Sequence, residues 1–94
     1  MTVETINPAT GKVEYTLELM DAAAIESILA ASASAFPAWS SRPIEERGDF
    51  LRKVGAELRA RRGDIQKIMT AEMGKLRKEA FAEIDKCADG CDYY

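Results

Sequence analysis

Thr5-Ile6-Asn7-Pro8-Ala9-Thr10-Gly11-Lys12-Val13-Glu14-Tyr15-Thr16-Leu17-Glu18-Leu19 is the stretch on which the reading of this chain turns. Val13, Tyr15, Leu17 and Leu19 alternate with Glu14, Thr16 and Glu18, the period of two that marks a half-buried strand. Asn7 to Gly11 just ahead of them has turn chemistry. Pro8 presets φ for the second position of a turn, and Gly11 accepts positive φ without steric cost. Val3, Thr5 and Ile6 supply an opposing strand. Residues 1–20 are therefore expected to form a β-hairpin.

Beyond the hairpin the pattern becomes helical. Asp21 has the side chain of an N-cap, and Ile25, Ile28, Leu29 and Phe36 share one face with Ser32 between them. Pro37 is expected to stop this helix and to leave Trp39 in a short connection. Pro43 suits the opening of a second helix, with Glu45 and Glu46 beside its positive end and Phe50, Leu51, Val54 and Leu58 as its buried stripe. Gly63 should end it, after Arg61 and Arg62 in its last turn. Asp64 should then cap a third helix with Ile65, Ile68, Met69 and Met73 inside, stopped by Gly74. A fourth helix from about Leu76 carries Ala80, Phe81, Ile84, Ala88 and Cys91 on one side, weakened at Gly90 by about 1 kcal/mol relative to Ala. Its end at Tyr93-Tyr94, with no cap, reads as a chain cut within an element. The expected fold class is mainly α, an N-terminal β-hairpin followed by about four helices over residues 21–94.

Composition narrows the chemistry. The chain has 94 residues, a formal net charge of -3, and no histidine. That length suits one small domain, able to hide roughly 60–70% of its unfolded surface. Lacking histidine, it has no Ser-His-Asp or Cys-His catalysis of its own and no histidine-bearing zinc site. Cys87 and Cys91 lie four apart, neither a C-x-x-C pair nor a disulfide framework. They read as small buried apolar residues and suit a reducing cytoplasm. The weakly polar run from Ala22 to Phe36 is broken by Glu26 and several serines and is too short to cross a bilayer, so no membrane association is expected.

Charge is uneven. Residues 42–62 hold seven basic against four acidic side chains, a net of +3, whereas residues 1–41 and 63–94 are net negative. The acids interleave with the arginines, and Asp49–Lys53 and Glu57–Arg61 have the i,i+4 spacing of intrahelical pairs. A solvated helix face explains the segment better than phosphate contact does, and no nucleic-acid partner is expected. Gly11-Lys12 and Gly74-Lys75 lack the spacing of a phosphate-cradling loop. Glu79, Glu83 and Asp85 read as surface acids rather than acid–base catalysts. The residues describe a mainly helical unit with no complete active site.

A resemblance adds to this. Glu4-Thr5-Ile6-Asn7-Pro8-Ala9-Thr10-Gly11-Lys12-Val13 is similar to the opening hairpin of NAD(P)-dependent aldehyde dehydrogenases. Ala35-Phe36, Trp39, Glu46-Arg47 and Leu51 follow with the spacing of that family's next helices. Glu72-Met73-Gly74-Lys75 resembles its Glu-x-Gly-Lys step, and Glu83-Ile84, Cys87 and Tyr93-Tyr94 resemble the helix after it. Within the family the likeness is to succinate-semialdehyde dehydrogenases.

The resemblance implies that residues 1–94 are the N-terminal flank of the cofactor-binding domain in a larger α/β enzyme. That enzyme would oxidise an aldehyde to a carboxylic acid through a cysteine thiolate, with NAD or NADP taking the hydride, and would be a cytoplasmic homo-oligomer. It places the catalytic cysteine, the general base and the cofactor cleft outside residues 1–94. No catalytic or cofactor-binding residue is assigned here, and this stretch alone should be inactive and bind no cofactor. By the same resemblance, a structural monovalent cation is expected between the carbonyls of Thr5 and Ile6 and the carboxylate of Asp85. Truncation should also uncover Phe81, Ile84, Ala88 and Cys91. The alternatives are a standalone helical protein-interaction module presenting Phe36, Trp39, Tyr93 and Tyr94, and a weak nucleic-acid binder using Arg42 to Arg62.

Overall fold

The computed structural model describes all of Met1–Tyr94 as two strands and four helices. The strands β1 (Thr2–Ile6) and β2 (Val13–Glu18) pair antiparallel, with Val3 opposite Leu17 and Thr5 opposite Tyr15. The expected turn forms between them. The Asn7 side-chain oxygen accepts from the amides of Ala9 at 2.9 Å and Thr10 at 3.3 Å, and Gly11 sits at φ 70°. An asparagine that closes its own turn leaves the backbone little freedom, so register is fixed locally. The pairing shifts between Thr5 and Ile6, where the ladder meets the turn.

Four helices follow: α1 (Ala22–Ser40), α2 (Ile44–Ala60), α3 (Arg62–Met73) and α4 (Arg77–Tyr93). Asp21 caps α1 as expected, its carboxylate accepting from the Ala24 amide at 2.7 Å. Pro37, however, does not stop the helix, and Trp39 is helical. Proline forfeits one amide near the C-terminus, while Ser40 and Ser41 return hydroxyl donors to the carbonyls of Pro37 and Ala38 at 3.2 and 3.0 Å.

Gly63 is likewise not a terminator. The break falls at Arg61, a single residue between α2 and α3, and Gly63 and Asp64 lie in the first turn of α3. Asp64 there complements the helix dipole without capping it. Gly74 does end α3, at φ 68° with its amide donating to the Thr70 carbonyl at 2.9 Å.

The core is small and lies where α4 crosses α2 and α3. Its centre is the i,i+4,i+8 row Ala80, Ile84 and Ala88 of α4, joined by Gly55 of α2 and Gln66 of α3. The apolar stripe read on α2 is largely uncovered: Phe50, Leu51 and Val54 stay exposed, and the element buries Gly55 instead. Small residues win at this crossing because α2 and α4 approach closely. A Cβ on Gly55 would stand 3.1 Å from the Ala88 carbonyl oxygen.

The rest of the chain spreads out. The molecule measures 48 × 36 × 15 Å with a radius of gyration of 17.3 Å, whereas a compact chain of this length has about 12 Å. No residue of α1 is buried, and outside its junction with α2 this helix barely touches the other elements. Of the residues expected to lose cover, Phe81 and Cys91 are half-buried and Ile84 and Ala88 are buried. Ile84 is 3% exposed and Ala88 fully enclosed, because α2 and α3 already cover that side of α4.

Candidate functional site

Two distant parts of the sequence meet at the C-terminus of α3. Gly74 in its left-handed conformation carries the chain past the hairpin turn so closely that a Cβ there would lie 2.9 Å from Pro8 Cγ. The Asn-Pro turn and the Glu-x-Gly-Lys step are thus one structural feature. Gln66, 7% exposed, donates to Thr70 Oγ1 at 2.8 Å, and that hydroxyl donates to the Lys75 carbonyl at 2.9 Å. The chain reversal is therefore tied to α3 by side chains as well as backbone. Lys75 Nζ is held by Glu83 on α4, and this hydrogen bond keeps the ammonium above its ordinary pKa.

A second cluster joins α3 to α4. Arg62 grips Asp85 with two parallel bonds, Nε to Oδ1 at 2.6 Å and Nη2 to Oδ2 at 2.7 Å. Its guanidinium also lies 4.1 Å from the centre of the Phe81 ring, with Arg77 5.4 Å from the same ring. The hydrogen bonds lower the Asp85 pKa and raise that of Arg62. Arg59 bridges Asp89 at 2.9 Å and Asp92 at 2.7 Å further along α4. The restart of the helix at Arg62 is what points this side chain at α4.

Asp85 was expected to share a cation with the carbonyls of Thr5 and Ile6. Thr5 and Ile6 stand at the end of β1, where Thr5 Oγ1 accepts from the Tyr15 amide at 3.2 Å. Both oxygens of Asp85 are already taken by Arg62, and the chain holds no group of three acidic or sulfur side chains arranged for a metal. In this arrangement a guanidinium carries the positive charge at the Asp85 carboxylate.

The basic segment is internally paired. Arg61 bonds Glu57 at 3.0 Å, Arg42 lies 3.9 Å from Glu46, and Asp49 pairs with Arg52 rather than Lys53. Lys53 instead sits 5.3 Å from the Phe50 ring centre, beside the tilted pair that Phe50 makes with Trp39 at 5.4 Å. Arg47 Nε is buried without a partner. The cysteines differ from their sequence reading: Cys87 is exposed, and only Cys91 is half-buried, against Gly55. Cys91 belongs to the apolar row read on the fourth helix, whereas Cys87 lies outside the part of the α4 circumference that α2 covers.

The salt-bridged seam and the Pro8–Gly74 contact organise a scaffold; they do not assemble a nucleophile, base and acceptor. The likeness to known proteins is extensive. The aldehyde dehydrogenase family model matches residues 1–94. The NAD(P)+ succinate semialdehyde dehydrogenase Sad of Escherichia coli K12 is 40% identical over 89 residues, which make up 95% of this chain and 19% of Sad. A probable NADP+ succinate-semialdehyde dehydrogenase of Synechocystis is 36% identical over all of this chain and 21% of its own. The structure of Gox0499, described in work on its cofactor and substrate selection, superposes with a TM-score of 0.94 at 28% identity, over 100% of this chain and 21% of that one. The chain thus spans about a fifth of the length of the relatives it matches. With its whole length matched by the family model and its hairpin turn packed on the Gly-Lys step, the chain belongs to the aldehyde dehydrogenase family.

Proposed function

We propose that Met1–Tyr94 serves as the N-terminal flank of the cofactor-binding domain of an NAD(P)-dependent aldehyde dehydrogenase, with succinate semialdehyde as the substrate class. The observation that carries this reading is the match of the aldehyde dehydrogenase family model to the whole chain, hairpin and helices together. Two succinate-semialdehyde dehydrogenases among its relatives support the substrate. In that enzyme the aldehyde becomes a carboxylic acid as hydride leaves for the nicotinamide and water supplies the second oxygen. No residue of this chain is assigned to that chemistry. Its part is to hold the hairpin, the reversal at Gly74 and α4 in fixed relation. Cytoplasmic location and homo-oligomeric assembly belong to the same proposal.

For the cation expected at Thr5, Ile6 and Asp85 we propose a competition. Arg62 already neutralises the Asp85 carboxylate through two hydrogen bonds, which weakens its pull on an ion. Thermal stability of the chain should then be the same in potassium, sodium and choline chloride at equal ionic strength.

The test of function is a chimera in which these residues replace the matched fifth of Escherichia coli Sad. Reduction of NAD+ or NADP+ that depends on succinate semialdehyde is the expected result. A folded chimera without activity, or sustained turnover by the isolated chain, overturns the reading.

A further inference from the structure

An open cleft of about 530 Å³ lies between α3 and α4, lined by Arg62, Arg77, Lys78, Phe81, Ala82 and Asp85. Its volume is that of a small-molecule site, and its lining is strongly basic. The one acid, Asp85, is already neutralised by Arg62, which uses its Nε–H and one Nη2–H for this and keeps its other N–H donors free. Arg77 and Lys78 make no ion pair at all, whereas Arg59, Arg61, Lys67 and Lys75 each have an acidic partner.

The acids of α4 are engaged elsewhere. Glu83 holds Lys75, Glu79 acts on the same ammonium, and Asp89 and Asp92 are taken by Arg59. The cleft is left with two uncompensated positive charges beside a guanidinium that its carboxylate holds in place. Arg62 and Arg77 also lie 4.1 and 5.4 Å from the centre of the Phe81 ring. Both N–H forks are thereby positioned in advance, and less side-chain freedom is lost when an anion arrives.

Two charges and forked donors suit a phosphoryl dianion, whose oxygens accept from guanidinium in pairs. The half-buried Phe81 and Ala82 leave room for the carbon part of an ester. An extended polyanion suits the surface poorly, because the chain is net negative and acids recur along α4 beside the patch. We propose that this cleft binds a small phosphomonoester, its phosphoryl group held by Arg77, Lys78 and the free N–H donors of Arg62. The site goes beyond the functional reading above and stands on these residues whether or not that reading holds.

The test is a titration followed by 1H–15N spectra of the labelled chain with AMP, glucose 6-phosphate, inorganic phosphate or succinate. Equal ionic strength and a pH above the second phosphate pKa of about 6 keep the esters dianionic and comparable. The amides of Arg77, Lys78 and Phe81 and the Nε–H groups of Arg62 and Arg77 should shift and saturate with at least one ester. Which ester binds tells whether a nucleoside or a sugar carries the phosphoryl group. Arg77→Gln and Lys78→Gln should each weaken binding about fivefold without lowering the melting temperature, since neither side chain is paired. Lys53→Gln, the same charge change on α2, should leave affinity unaltered. The Sad chimera should give the same shifts, and it decides alone if the isolated chain yields no folded spectrum. No saturable shift overturns the proposal. So does inorganic phosphate or succinate binding as tightly as either ester, an equal loss in Lys53→Gln, or a chimera that no longer binds. Failure of both forms to fold also counts against it.

Discussion

Replacing Gly55 by alanine tests the packing of α2 on α4, because the same chemical change has opposite consequences at other glycines. Alanine removes the helix penalty of glycine, about 1 kcal/mol. At Gly90 on α4 no atom lies within 4 Å of the new methyl, and at Gly48 on α2 it meets only the flexible guanidinium of Arg52. Both substitutions should therefore show most of that gain. At Gly55 the methyl would sit 3.1 Å from the Ala88 carbonyl oxygen and 3.3 Å from both Cys91 Cβ and Asp92 Oδ1. The nearest of these is helix backbone and cannot rotate away, so α2 and α4 must separate by a few tenths of an ångström. Overpacking of this kind costs about 1–3 kcal/mol. Gly55→Ala should then fall about 0–2 kcal/mol below the parent sequence, and about 1–3 kcal/mol below Gly90→Ala. With roughly 4–8 °C per kcal/mol in a chain of this size, thermal melts by far-ultraviolet circular dichroism resolve the difference. Gly55→Ala melting as high as Gly90→Ala would falsify the close-contact argument, and Gly55→Leu, with three further carbons to place, should melt lowest of the series.

Gly74→Ala should destabilise the chain by more than the roughly 1–2 kcal/mol of a left-handed alanine, because its Cβ also strikes Pro8. Adding Pro8→Ala should recover part of the loss in a double-mutant cycle read by urea denaturation; strict additivity would show that the turn and the Gly-Lys step are not coupled. Ile84→Ala removes the one large side chain at the centre of the core and should cost about 2–3 kcal/mol, the low end for such sites because this thin core can close up; a loss under half that value would mean α4 is not packed as described. The lowered pKa of Asp85 makes its stabilising contribution present above the ordinary aspartate value near 4 and lost as pH falls through the lowered one. The acid limb of a stability–pH curve should flatten in Asp85→Asn. The raised pKa of Lys75 works the other way. Its contribution holds below the ordinary lysine value of about 10.4 and disappears as pH rises through the raised one, so Lys75→Gln should flatten the alkaline limb. Unchanged limbs in both variants would dissociate these pairs from folding.

The sequence by itself determined the local elements. Val13 to Glu18 does form a strand, but all of it is exposed where its alternation marked a half-buried one. The turn chemistry of Asn7 to Gly11, Asp21 at a cap position and Gly74 at the end of α3 each act within a few residues and appear in the structure as read. The α4 row Ala80, Ile84 and Ala88 was legible for the same reason, and so were the motifs that carry the family likeness. Which apolar faces are covered was decided only by the tertiary structure. Periodicity marks a face that needs cover without naming what supplies it. The stripes of α1 and α2 therefore looked like that of α4, although only α4 finds its cover within this chain. Helix ends moved where side-chain hydrogen bonds, three residues away at α1 and across to α4 at α3, accompanied a departure from the Pro and Gly signals. Ser40 and Ser41 carried α1 through Pro37, and Arg62 began α3 ahead of Gly63 with its guanidinium on Asp85. The contact between Pro8 and Gly74 spans 66 positions of sequence, and the pairing of Arg62 with Asp85 spans 23. Neither can be read from a window of neighbouring residues, because each depends on three-dimensional proximity that the assembled helices create.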